Sequence, residues 1–329
     1  MTSKMPVAKI AAAAALLAFS AQAQATVDDS ECDCFFTNGT VPTYFKSHGF
    51  WDFRSLSQYA VVNPPGLKLS VEESENADFT TPYLNYDSEF GAFWGAQKWG
   101  SLGSDDLLPN QNSLNNLYIE RNRGYESDTY LAMRTARLDD FQTSAEFESR
   151  EQFDHVSMRM HSMTTGTKGA CTSIFTYRKE GDEVVEETDI EILTNDPSDT
   201  VRYINQPSYN ETTDDSVPGA SHTITLPDGK VWYDWHTHRL DWTPGLTTWF
   251  LDGEKTFDMT FQVPTKPAQV ILNAWSNGDE WWTGEMVVGG RAYQYVQWIE
   301  LLYDVTDEAT CERVCSVDDS PVIGKAVRL

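Results

Sequence analysis

Glu187-Thr188-Asp189-Ile190-Glu191, running on into Ile192-Leu193, is the stretch on which the reading of this chain turns. Acidic residues alternate with apolar or β-branched ones. In a β-strand, alternate side chains point to opposite faces. Glu187, Asp189 and Glu191 then share one face, while Thr188, Ile190 and Ile192 share the other. Three carboxylates in a row repel each other, so keeping them asks for a chemical reason. Cleavage of a bond between two sugars is one, because it uses two carboxyl groups flanking the scissile bond. One protonates the leaving oxygen; the other attacks the anomeric carbon or activates water. Two Glu residues four apart on a strand have Cα atoms roughly 13 Å apart, and inward-leaning side chains can narrow the gap to the roughly 5–5.5 Å of a retaining site. Asp189, between them, would hold its neighbour in place and tune its proton affinity by like-charge coupling. The plainer reading is a solvent-facing strand of an acidic protein, since 50 of 329 residues are Asp or Glu. What flanks the stretch decides between the two.

Outward from it, short strand-like pieces follow one another: 117–121, 130–134, 143–149, 156–161 and 171–177 before it, then 201–205, 237–242, 247–251, 269–275 and 295–303. Segment 156–161, Val-Ser-Met-Arg-Met-His, alternates strictly. Turns such as Pro244-Gly245 and Asp252-Gly253 punctuate the series, and no long helical period or internal repeat interrupts it. Many short strands with regular turns predict an all-β sandwich of two antiparallel sheets, as one domain over 24–315 with a short tail at 316–329. Residues 26–48 read as an irregular lead-in, and 55–85 as loops and edge strands. Residues 86–116 set Phe90, Phe93, Trp94 and Trp99 among Gly, Ser and Asn. Such a loop can line a sugar groove, because sugar rings stack on flat apolar faces, or it can tuck away as a minor core.

The chain opens as a secretory signal would. Lys4 and Lys9 precede or begin a short apolar run at 10–19, and Ala21-Gln22-Ala23 or Ala23-Gln24-Ala25 offers a small-x-small cleavage site. That run is too short to span a bilayer, and the expected signal covers 1–23. The end, Lys325-Ala326-Val327-Arg328-Leu329, carries no apolar tail of the lipid-anchor kind. A secreted protein, extracellular or associated with the cell wall, is expected. Its net charge of −26 opposes binding to nucleic acid or anionic lipid and suits a neutral polysaccharide partner. A monomer is expected. Sequons at Asn38-Gly39-Thr40 and Asn210-Glu211-Thr212 make Asn38 and Asn210 candidates for N-glycans. Cys32 and Cys34 near the start and Cys311 and Cys315 near the end suggest two bridges tying the ends together, with the pairing open. Cys171, in an apolar run, reads as a buried free thiol. No His and Cys cluster suggests zinc, and no cofactor is expected.

Several motifs in order resemble glycoside hydrolase family 16, over about 140–304. The E-x-D-x-E stretch without an insertion resembles the lichenase and xyloglucan transglycosylase branch. Ser173-Ile174-Phe175-Thr176-Tyr177 is similar to the strand preceding the acidic one in lichenases. Trp235-His236-Thr237-His238-Arg239-Leu240-Asp241-Trp242, Trp249-Phe250-Leu251-Asp252-Gly253, Asn273-Ala274-Trp275, Trp282-Thr283-Gly284 and Val296-Gln297-Trp298 resemble the family's later segments. The cysteine-tied ends and the aromatic loop look more like secreted fungal members. Ile204-Asn205-Gln206-Pro207 departs from the aromatic pair of lichenases.

The resemblance implies a jelly-roll sandwich of the concanavalin A-like kind, with a concave substrate groove and retaining chemistry on a β-glucan. It implies Glu187 as nucleophile, Asp189 as its helper and Glu191 as acid/base. Glu187 and Asp189 are expected to keep a proton on Glu191 by opposing its ionisation. Asn205, His236 and Asn273 are expected to position sugar groups, and Trp275 and Trp282 to stack on rings. Trp242, Trp249 and Trp298 are assigned to packing. A structural calcium occurs in some relatives, and no clear ligand cluster here supports or excludes one. Two alternatives use the same frame: a cell-wall transglycosylase with a sugar as acceptor, and a non-catalytic lectin-like binder.

Overall fold

Two largely antiparallel sheets stack face to face, each formed because its strands alternate apolar and polar residues. The computed structural model describes residues 25–122, 127–181, 183–210 and 212–329. The expected signal at 1–23 lies outside the described residues. The first sheet carries the acidic strand, Glu186–Leu193, near its middle. Across it the order is Trp94–Ala96, Gln142–Ser149, Gln269–Trp275, Cys171–Arg178, Glu186–Leu193, Thr200–Gln206 and Ser221–Thr225. The second sheet is built around the long strand Arg291–Thr306. Thr129–Arg137 and Thr43–Asp52 pair with it end to end, and Val156–Gly166 pairs along the other edge. His236–Thr243, Leu246–Leu251 and Glu254–Met259 extend that side. Gln142–Ser149 joins the sheets: its start pairs with Thr129–Arg137 and its end with Gln269–Trp275.

The core lies between the sheets, where the inward residues of both interdigitate. Ile190 and Ile192 enter it from the acidic strand, against Tyr203, Trp249 and Leu240. Trp249 stacks on Tyr203, with ring centroids 5.1 Å apart, and its Nε1 donates to the Asp189 carbonyl at 3.0 Å. The indole is thereby satisfied while its ring supports the acidic strand from below. Trp242 is fully buried as well. Trp298 packs instead on the outer face of the second sheet, against Phe50 and His161.

The chain ends depart from expectation. The lead-in is not irregular: it supplies Thr26–Val27, Cys34–Thr37 and Thr43–Asp52. Nor is 316–329 a tail, because Ala326–Arg328 pairs with Thr26–Val27 and with Val314–Ser316. Bridges Cys32–Cys315 and Cys34–Cys311 tie start to end, and Cys171 is free and buried. The tied ends cover charged residues on the outer face of the second sheet. Asp318 accepts from Arg159 at 2.7 Å and from Arg239 at 3.0 Å, and Arg239 also pairs with Asp241 at 2.7 Å.

Beside this network, His48 bonds Asp29 through Nδ1 at 2.8 Å and Glu300 through Nε2 at 3.2 Å; Arg159 lies 3.7 Å from Glu300. Burial disfavours a charged His48, but the two carboxylates outweigh it and raise its pKa from 6.5 to about 9. A group whose pKa is raised by folding stabilises fully below its unfolded value and loses that contribution as pH rises through the folded one. Stability is therefore expected to fall between pH 6.5 and about 9, and His48→Gln to flatten that fall. Urea unfolding across this range checks it; equal slopes for both proteins would contradict it.

Candidate active site

Register fixes which residues meet above the first sheet. Ser173 lies opposite Glu191, Phe175 opposite Asp189 and Tyr177 opposite Glu187, with no shift along the pairing. On the next strand Asn273 lies opposite Ser173, and Glu146 lies opposite Asn273. Glu191, Ser173, Asn273 and Glu146 thus form one row across adjacent strands. These residues floor a groove of about 500 Å³, in the range of small-ligand sites. Glu187, Glu191, Asn273 and Trp275 line it, together with Trp99, Tyr177, Glu146 and Glu148.

The carboxylates of the acidic strand differ in exposure. Glu187 and Glu191 are half-buried and open to the groove, whereas Asp189 is 1% exposed. The Asp189 carboxyl is hydrogen-bonded to that of Glu187. Burial followed by the charges of Glu187 and Glu191 pushes the Asp189 pKa well up. Glu187 is also raised, by burial and by the charge of Glu191, against the pull of Asp189. Two carboxyls in this relation share a proton more readily than they carry two charges.

Glu191 is raised to about 7, with burial as the largest cause. The Cys171 thiol, the Trp282 side chain and the charge of Arg202 all pull the other way. Desolvation penalises the charged form of a carboxyl directly, so a half-closed groove suffices to keep an acid protonated.

The other expected residues divide. Asn273 and Trp275 line the groove. Asn205 does not. It lies opposite Thr188, on the core face, where its Nδ2 donates to Thr247 Oγ1 and to the Phe261 carbonyl, each at 2.9 Å. The alternation that raises Glu187 into the groove turns Asn205 inward. His236 belongs to the second sheet and bonds Asp252 at 2.9 Å, outside the groove. Trp282 is not among the groove-lining residues either; one face of its ring is covered by Arg202, whose guanidinium carbon lies 4.6 Å from the ring centre.

The aromatic residues of 86–116 divide between core and groove. Phe90 and Trp94 are buried in the core and Phe93 packs against it, while Trp99 is 52% exposed and lines the groove. Glu146 went unnoticed in the sequence. It receives Trp99 Nε1 at 2.7 Å and Asn273 Nδ2 at 3.3 Å, and Ser173 Oγ donates to Asn273 Oδ1 at 2.6 Å. Burial raises Glu146 to about 7, against those two hydrogen bonds and with help from Glu148. The signal was present: Glu146 and Glu148 alternate with Ala145 and Phe147 as the acidic strand does. Among the described residues no cluster of His, Cys, Asp or Glu could hold a metal ion. Asn38 and Asn210 are both exposed.

The sequence pattern described as glycosyl hydrolases family 16 matches residues 110–296, more than half of the chain. The chain belongs to glycosyl hydrolases family 16. Relatives within the family include a β-glucanase of Acetivibrio thermocellus, 25% identical over 254 residues, with 73% of this chain and 67% of that protein covered. A β-glucanase of Bacillus subtilis (strain 168) is 28% identical over 137 residues, 40% of this chain and 51% of its own length. Among solved structures, a lichenase from a mouse hindgut metagenome superposes with a TM-score of 0.53 at 17% identity, covering 79% of this chain and 100% of that one. An endo-β-1,3-glucanase from Pyrococcus furiosus gives 0.54 at 17%, with 84% and 99% covered. The family's jelly-roll sandwich is the fold described above.

Proposed function

We propose that this family 16 protein is a secreted, retaining, endo-acting glycoside hydrolase that cuts β-glucan-type polysaccharide by double displacement. The observation that carries the reading is that Glu187 and Glu191 open into one groove while Asp189 is sealed between them. The β-glucanases among its relatives support the substrate class. The uninterrupted register of the acidic strand supports membership of the unbulged E-x-D-x-E branch, and the cysteine-tied ends are the feature that suggests a secreted fungal-type member. The catalytic domain would run from residue 24 through the paired strand Ala326–Arg328.

In the first step Glu191 donates its proton to the leaving oxygen, and the Glu187 carboxylate attacks the anomeric carbon. A glycosyl–Glu187 ester forms and the sugar–sugar bond breaks. In the second step Glu191, now charged, takes a proton from water, whose oxygen displaces Glu187. Asp189 holds Glu187 and exchanges a proton with it. Asn273, fixed by Ser173 and Glu146, and Trp275 are the residues best placed to touch sugar.

The deciding experiment incubates the protein with lichenan, laminarin, xyloglucan, chitin and galactan and reads products by mass. A 2-fluoro glycoside with a good leaving group should leave a covalent adduct on the peptide containing Glu187. Tight glucan binding without turnover of any substrate would favour a lectin-like protein instead.

One pH prediction follows from the environment of Glu191. The first step needs its proton, so kcat/KM should decline as pH rises through about 7. A pH–rate profile on a defined oligosaccharide checks this; a flat profile to pH 9 would remove Glu191 as the acid.

A further inference from the structure

We propose that Arg202, clamped by Asp196 and laid over Trp282, is a positioning residue for Glu191 that readies it to act as base in the second half of the reaction. This rests on the hydrolase reading above. Arg202 lies directly opposite Glu191 on the neighbouring strand Thr200–Gln206, so its side chain rises on the same face. Two bonds fix it: Nε donates to Asp196 Oδ2 at 2.8 Å and Nη2 to Asp196 Oδ1 at 3.0 Å. Asp196 belongs to the turn that ends the acidic strand, so clamp and acid move as one piece. A bidentate arginine–carboxylate pair is directional as well as strong.

The planar guanidinium then covers the Trp282 ring at 4.6 Å. Arginine stacks on aromatic faces in this way, which a lysine does less well. The loop carrying Trp282 is held close to the same turn. A Cβ on Gly284, whose φ is +74°, would lie 2.8 Å from Asn195 Nδ2, so the loop approaches only because no side chain stands there. The Trp282 N–H bonds the Asp279 carbonyl at 3.2 Å, and the buried Thr283 receives Ser276 Oγ at 3.3 Å. Trp282 is thereby pinned between Arg202 and the Glu191 carboxyl, whose charged form its indole favours.

The two half-reactions need opposite states of Glu191. Before attack, burial holds the proton on it. Once Glu187 is esterified its negative charge is gone, and with it the repulsion between the two groups. The fixed positive charge of Arg202 then weighs more heavily on Glu191 and favours the carboxylate that must accept a proton from water.

Arg202→Met keeps an unbranched stem and removes the charge. The alkaline limb of kcat/KM is expected to move upward by about half a unit, because Glu191 keeps its proton longer. With an activated aryl glycoside, release of the aryl group should persist while sugar release slows, so that a burst appears and kcat falls more than KM. Arg202→Lys should restore the limb but only part of the rate, and Trp282→Phe should shift it in the direction of Arg202→Met. Thermal unfolding of each variant identifies any that fails to fold, and Arg202→Lys then carries the comparison. A folded Arg202→Met with the wild-type limb and no burst would overturn the proposal. Activity persisting in Glu191→Gln would instead remove the hydrolase assignment beneath it.

Discussion

Glu187→Ala is expected to lower kcat/KM on any glucan substrate by roughly 10⁴-fold or more, the scale seen when a covalent nucleophile is removed from a concerted catalytic group. The effect should fall on chemistry and not on folding. Burial raises the carboxyl of Glu187 above its ordinary range, so in the folded state its charge is disfavoured at neutral pH. By linkage, such a group contributes fully below its unfolded pKa and loses that contribution as pH rises through the folded value. Taking it away at pH 8 should leave stability unchanged or increased. Small anions offer a sharper check. Azide or formate can enter the space vacated by the side chain and attack the same carbon, giving the product of opposite anomeric configuration. Rescue with inversion assigns Glu187 as nucleophile. An inactive variant with unaltered unfolding and no rescue by either anion would point to a binding role, and wild-type turnover would refute the assignment outright.

Removing both disulfides is expected to destabilise the protein by about 7 kcal/mol on the chain-entropy model, and removing either one by about 2 kcal/mol. The asymmetry follows from geometry. Cys32–Cys315 and Cys34–Cys311 span separations of 283 and 277 residues. They are anchored within a few residues of each other at both ends, so either one closes the long loop and the second adds only a short ring. Cys32→Ser with Cys34→Ser therefore differs in kind from either alone. The ends they hold lie over Arg159, Arg239 and His48, so losing both also admits water to a buried charge network. Urea midpoints under non-reducing conditions test this. Double and single variants with equal midpoints would contradict it. Specific activity at low temperature should persist in the double variant, because the groove belongs to the other sheet.

Much of this molecule is legible in one dimension. Segments 117–121 and 269–275 are legible at the boundaries the strands adopt. Thr43–Asp52 escaped because its alternation is broken by Lys46, His48 and Gly49. His48 sits beneath the folded-back ends, so its polarity is satisfied inside and not by solvent. A local pattern cannot show that. Ala326–Arg328 escaped for a related reason: its partner Thr26–Val27 lies at the other end of the chain.

At the site, periodicity by itself determined that Glu187, Asp189 and Glu191 share one face, since a strand turns over at every residue wherever it is placed. It determined equally that 143–149 presents Glu146 and Glu148 together, a clue of the same kind. Tertiary structure alone decided which strands lie beside them. It turned Asn205 into the core, left His236 on the other sheet, and set Arg202 over Trp282. It also decided why Glu191 holds a proton: the acidity of a carboxyl depends on how much water its surroundings exclude, and those surroundings come from distant parts of the chain.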